Sequence, residues 1–160
     1  MKLLVKIAAL FVLVLPGVSV ADETAGKAVD QLTVYKSPTC GCCKVWINHL
    51  EEYGFEATTE HPADLDGVKR RLGITSQTAS CHTGVSSQGY VFEGHVPAKY
   101  IKTFIENPPE NAIGLSVPAM PLGSPGMEME DRFHPYKVIQ MNKDGTMQVY
   151  ASVDEQAQQY

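Results

Sequence analysis

Hydrophobic residues are distributed very unevenly along the chain. Residues 7–18 form a nearly uninterrupted apolar run, preceded by Lys2 and Lys6 and followed by Ser19-Val20-Ala21. A charged start, a short hydrophobic stretch and small residues before a cut predict a secretion signal over residues 1–21, removed before Asp22. The run is about a dozen residues long, whereas a membrane-spanning helix needs ~20. No Cys follows it, so a lipoprotein anchor is not expected. Residues 22–30 are expected to form a flexible leader. Beyond them the pattern shortens: Leu32-Thr33-Val34-Tyr35 predicts a strand, and Ser37-Pro38-Thr39 a turn. In residues 41–53 the positions Val45, Trp46, Leu50 and Tyr53 follow a helical period that ends at Gly54. Residues 55–59 predict a second strand and residues 64–72 a second helix, stopped by Gly73. Strand–helix–strand–helix at this spacing implies an α/β layer with a parallel pair.

Residues 74–94 are rich in turn formers, with one strand expected at residues 90–93. Residues 97–105 predict a helix that begins on proline and closes at Asn107-Pro108-Pro109. Residues 114–135 read as a Met/Pro/Gly-rich loop, long enough to suggest a functional role. A hairpin follows, residues 136–141 and 146–151 about the turn Asn142-Lys143-Asp144-Gly145, and residues 154–160 form a polar tail expected to fray. The element order predicts a single α/β domain over residues 31–153 of the thioredoxin-like type, with an inserted strand–helix segment. Val117-Pro118 falls where such folds place a cis-proline facing the turn after the first strand.

Composition narrows the function classes. The chain carries 13 basic and 18 acidic side chains, a formal charge of −5, and losing Lys2 and Lys6 with the signal makes the remainder more acidic. An acidic surface repels nucleic acid and anionic lipid, so neither is an expected partner, and no membrane insertion is expected after signal cleavage. Export also changes the reading of the four cysteines, Cys40, Cys42, Cys43 and Cys81. In an oxidising compartment an even number of cysteines usually means structural disulfides. Three of these lie within four residues, however, and a loop closed inside such a segment constrains almost nothing.

The cysteine turn lies between a strand and a helix, with Cys40 at or next to the helix cap and Cys42 and Cys43 in the first turn. Unpaired N–H groups and the helix dipole favour thiolates there. Gly41 is expected to make room where sulfurs converge. Cys40-Gly41-Cys42-Cys43 contains a C-x-x-C pair suited to dithiol exchange, and three adjacent thiolates also suit a soft metal: Cu(I), Zn(II) or an iron–sulfur cluster. The third thiol favours metal, since exchange needs two and metal gains from each. Cys81-His82 is the expected completion from a later loop, against the alternative of a Cys42–Cys81 disulfide. Met120, Met127, His82 and His134 are candidate outer ligands, with core packing the competing role for the methionines. His49, His61 and His95 read as surface or structural residues, and Trp46 as core.

The motifs Ser37-Pro38-Thr39-Cys40-Gly41-Cys42-Cys43, Ser80-Cys81-His82-Thr83, Glu93-Gly94-His95-Val96-Pro97 and Val117-Pro118-Ala119-Met120-Pro121, with Gly123-Ser124-Pro125-Gly126-Met127-Glu128, are in family order. Over residues 31–152 the chain resembles the exported copper-resistance protein CopG family, not the DNA-binding repressors of that name. The resemblance implies a thioredoxin-like fold and a cysteine-bridged, multinuclear copper cluster held by Cys40, Cys42, Cys43 and Cys81. It also implies a periplasmic role in copper tolerance, with redox interconversion of Cu(I) and Cu(II), beside other envelope copper-handling proteins. Enzymatic turnover stays open, as do a metal-free thiol oxidoreductase using Cys40 and Cys43 and a passive copper chaperone.

Overall fold

A computed structural model describes residues 30–160. The expected signal at residues 1–21 and all but the last residue of the expected leader lie outside the described residues. The elements run β1 (Gln31–Lys36), α1 (Gly41–Glu52), β2 (Glu56–Glu60), α2 (Leu65–Arg71), β3 (His82–Ser86), β4 (Val91–Gly94), α3 (Ala98–Glu106), β5 (Ala112–Val117), β6 (Tyr136–Asn142) and β7 (Met147–Val153), closed by a 3-10 turn at Gln156–Gln159. The strands make one mixed sheet ordered β2-β1-β3-β4-β5-β6-β7. As the spacing predicts, β1 and β2 are parallel. β3 runs antiparallel to β1, with Lys36 opposite His82, and antiparallel to β4. β4 and β5 are parallel across α3, and β6–β7 is the expected hairpin.

Side-chain alternation explains how the sheet is covered. On β4, Phe92 joins the main core with Trp46, Leu50, Ile101, Phe104 and Leu115, while its neighbour Val91 joins Ile74 and Met141 in a smaller cluster. Successive strand residues face opposite ways, so α1 and α3 pack on one face and the smaller cluster on the other. The buried positions of α1 are Cys43, Trp46, Ile47, His49 and Leu50. Val45 instead lies 49% exposed, one position off the buried stripe. Trp46 is fully buried, and its indole N–H donates to the Val96 carbonyl at 2.9 Å.

Two strands escape sequence patterning. β3 and β5 are buried on both faces and carry Gly84, Gly114 and Ser116, so they show neither alternation nor β-branched density. Gly114 is required where β5 meets β4: a Cβ there would lie 1.7 Å from the Val91 carbonyl oxygen. The strand and helix expected as an insertion are integral, since β4 sits between β3 and β5. The cis-proline expectation is corrected: no peptide bond among the described residues is cis, Val117-Pro118 included. The place opposite the cysteine turn belongs to residue 81, just before β3, because β3 lies against the end of β1.

The polar tail does not fray. Gln159 is fully buried, accepts from the Tyr136 hydroxyl and donates to the Gly123 carbonyl, each at 2.7 Å. His49 is another polar core member. Its Nε2 accepts from the Ala98 N–H at 3.0 Å, and burial lowers its pKa against the pull of Glu128 and Glu52. A lowered folded pKa means this contribution to stability is present above the unfolded value of ~6.5 and is lost below it. Denaturant midpoints of metal-free protein should therefore fall on acidification through that range, and less steeply in His49→Gln. Parallel slopes for the two proteins would refute the assignment.

Candidate metal centre

The first turn of α1 presents the cysteines. Cys40 is the N-cap residue, with extended backbone and no side-chain cap, and no acidic residue occupies the first turn. The positive end of the helix thus faces the sulfurs without a competing carboxylate. Cys40 N–H donates to the Ser37 carbonyl at 3.1 Å, which folds the turn back on itself. Lys36 is buried and caps the same carbonyl with its ammonium at 2.9 Å. Cys40 and Cys43 are joined by a disulfide, while Cys42 and Cys81 are free thiols. The alternative Cys42–Cys81 bond is therefore not formed. Gly41 does not make room for the sulfurs: it is exposed, and a Cβ there would meet nothing within 4 Å.

Cys81 completes the group from the start of β3. Its Sγ lies 3.6 Å from that of Cys43, and Cys40 Sγ lies 3.6 Å from Cys42 Sγ. All four sulfurs fall within 4.8 Å of one another. Cys43 is buried and the other three are half-buried. Burial pushes the Cys81 thiol up to about 12, with the neighbouring Cys42 adding to the shift.

Two imidazoles extend the donor set inward. His82 is fully buried, its ring 4.2 Å from the Trp46 ring by centroids and its Nδ1 3.2 Å from Cys81 Sγ. His95 is also fully buried, with Nε2 3.3 Å from the same sulfur and Nδ1 2.8 Å from the Pro125 carbonyl. A carbonyl only accepts, so Nδ1 carries the proton and the Nε2 lone pair faces Cys81, the arrangement of a poised ligand. Burial lowers the pKa of both histidines, that of His82 strongly, and keeps the rings neutral. Cys81, His82 and His95 form a second convergent donor group.

His95 corrects the sequence reading. Its burial follows from a tight turn at Gly94 (φ 73°), which aims the residue after β4 back at the cysteines. The Gly94-His95 pair was the available signal, but its meaning depends on β3 and β4 being neighbours. His134 is exposed and absent from both convergent groups. Met120 is 51% exposed and Met127 half-buried. Pro118 is half-buried beside Gln77, Ile139 and Val149, lining a shallow cleft by β7.

The long loop roofs the helix terminus. Gly126, at φ 86°, sits so close to α1 that a Cβ would lie 2.8 Å from both the Cys42 carbonyl oxygen and the Trp46 nitrogen. Glu128 accepts from the Gly126 N–H at 2.8 Å and from the Tyr160 hydroxyl at 3.0 Å. Four sulfurs and two neutral imidazole nitrogens, roofed and partly desolvated, are soft and borderline donors that fit Cu(I) or Zn(II).

A family model described as "Protein of unknown function, DUF411" matches residues 78–127, the stretch with Cys81, His82, His95 and most of the roof. A solved structure titled "Copper resistance protein copG- Form 2" is 43% identical, with 78% of this chain and 98% of that one covered at a TM-score of 0.74. Another, titled "Copper resistance protein copG- Form 1", is 44% identical over 78% of this chain and 97% of that one, with a TM-score of 0.73. No curated protein matches the chain. Among the described residues, no helix is long and apolar enough to cross a membrane.

Proposed function

This chain belongs to the copper resistance protein CopG family, and on that premise we propose that it is a periplasmic protein holding Cu(I) in a cysteine-bridged, multinuclear site. The observation that carries the reading is the convergence of four sulfurs from two distant segments within 4.8 Å. Cys40, Cys42, Cys43 and Cys81 are the ligands, and His95 and His82 stand behind Cys81 as nitrogen donors. Bound copper supplies one-electron chemistry, and bridging sulfurs would let neighbouring ions share the charge of a Cu(I)/Cu(II) change. The helix N-terminus and Lys36 offset the negative charge of the thiolates. The order β2-β1-β3-β4, with the cysteine turn between β1 and α1, supports a thioredoxin-like core extended by β5, β6 and β7. Residues 1–21 supply the export signal, which places the partners among envelope copper-handling proteins.

The Cys40–Cys43 disulfide sets the condition for loading. Bonded to each other, these two sulfurs are not thiolates, so a four-thiolate site requires their reduction. Anaerobic protein treated with a phosphine reductant should show four titratable thiols and take up Cu(I) with mainly sulfur neighbours at the copper X-ray edge. The oxidised form should show two thiols and a reduced copper capacity. Equal copper uptake by both forms, or stronger retention of Zn(II) in competition with Cu(I), would count against the reading. The same disulfide favours a second reading, a metal-free thiol oxidoreductase. That reading requires turnover on a disulfide substrate in the presence of a copper chelator, with full rate in Cys42→Ser and Cys81→Ser variants.

A further inference from the structure

Beside the sulfur cluster lies a buried ion pair that coordination by cysteine does not require. Lys69 of α2 and Glu93 of β4 are in direct contact, with side chains 8% and 0% exposed. Removing two charges from water is costly, and such a pair is offset only where its geometry is good and further hydrogen bonds satisfy both groups. Both carboxylate oxygens of Glu93 are engaged. Oε1 accepts from the Lys69 ammonium and from the Ser80 backbone N–H at 2.6 Å, and Oε2 accepts from the Thr83 hydroxyl at 2.6 Å. Lys69 also donates to the Thr83 hydroxyl at 3.1 Å.

Those partners bracket Cys81-His82. Ser80 precedes the pair and Thr83 follows it, so one carboxylate grips the chain on both sides of a proposed ligand. The β3–β4 register runs only from Thr83 to Val85 on β3, so the ladder with β4 does not hold residues 80–82. The Glu93 side chain takes over where the ladder stops. On the far side, the Ser80 hydroxyl donates to the Ala119 carbonyl and the Ala119 N–H to the Ala79 carbonyl, which ties the same segment to the roof. We propose that Lys69 and Glu93 are positioning residues for the metal centre, setting Cys81 Sγ and the His82 ring against the cysteine turn. Lys69 has a second task in this arrangement. It neutralises a buried carboxylate that would otherwise repel thiolates gathering nearby.

The proposal rests on Cys81 being a ligand, and its test separates the two ideas. Two variants are compared with wild type: Thr83→Val, which removes one grip without burying a lone charge, and the double variant Lys69→Met/Glu93→Gln, which removes the pair together. Reduced, metal-free protein is pulsed with iodoacetamide, and modification of Cys81 relative to Cys42 is read by peptide mass. Cu(I) affinity is read by chelator competition, and sulfur neighbours by X-ray absorption, under conditions where circular dichroism shows a folded chain. Cys81 should be alkylated roughly fivefold faster as its segment gains freedom. Copper should be held about tenfold more weakly, with fewer sulfur neighbours.

Folded variants with wild-type alkylation and copper affinity within about twofold would overturn the proposal, even with lowered stability, because the pair would then be structural only. If the double variant does not fold, Thr83→Val decides by the same criteria. If wild-type protein takes up no Cu(I), the copper reading fails, and the alkylation ratio still decides whether Glu93 holds Cys81.

Discussion

Cys81→Ser should lose copper more severely than any change outside the four sulfurs. Loss of an outer partner that merely orients a ligand costs 10–100-fold in metal affinity. Removal of a ligand that both touches Cys43 and sits between two imidazoles should therefore cost on the order of 100-fold or more. A serine hydroxyl is a hard donor and does not replace a soft thiolate for Cu(I). The fold should survive, because Cys81 is half-buried and carries no disulfide. The measurement is anaerobic Cu(I) competition together with X-ray absorption, with circular dichroism as the control for folding. Unchanged stoichiometry and affinity would remove Cys81 from the centre and leave the segment at Cys40 to act alone.

Gly126→Ala should be among the most disruptive substitutions in the roof. The residue sits at φ 86°, a left-handed conformation costing an alanine about 1–2 kcal/mol. The added Cβ would also press on the Cys42 carbonyl and the Trp46 nitrogen, which are backbone atoms of a helix and cannot give way. Overpacking of that kind adds about 1–3 kcal/mol, so a total near 3 kcal/mol is expected in denaturant unfolding. Gly145→Ala isolates the first effect, the left-handed backbone alone. Gly145 has φ 81° but open space around it, so it should lose only about 1 kcal/mol. Equal losses for the two variants would show that the roof does not press on the helix terminus.

How much of this could be read from the sequence depended on whether a signal was local. The cysteine turn, α1 and β2 were legible because their signals lie within a few residues: a β-branched strand, a proline turn, helical spacing and a stopping glycine. Cys40, Cys42 and Cys43 announce themselves by crowding, and Cys81-His82 by the motif order. β3 and β5 were not legible, since doubly buried strands containing glycine and serine lack the alternation that marks a half-exposed strand. Missing them hid His95, whose burial depends on β4 lying beside β3, and led to Val117-Pro118 being assigned the place that Cys81 occupies. Gly41 carries the opposite lesson. A glycine amid cysteines suggests steric need, yet the space beside it is open. The Lys69–Glu93 pair was illegible for the same reason as His95, because the two residues are distant in sequence and meet only across the folded sheet.

The buried contact of Gln159 with the Gly123 carbonyl, and the exposed one of Tyr160 with Glu128, join residues 159 and 160 to the cover of the sulfur cluster. Loosening of residues 159 and 160 would therefore unfasten the cover over sulfurs that lie far away in sequence, and solvent and oxidant would reach them.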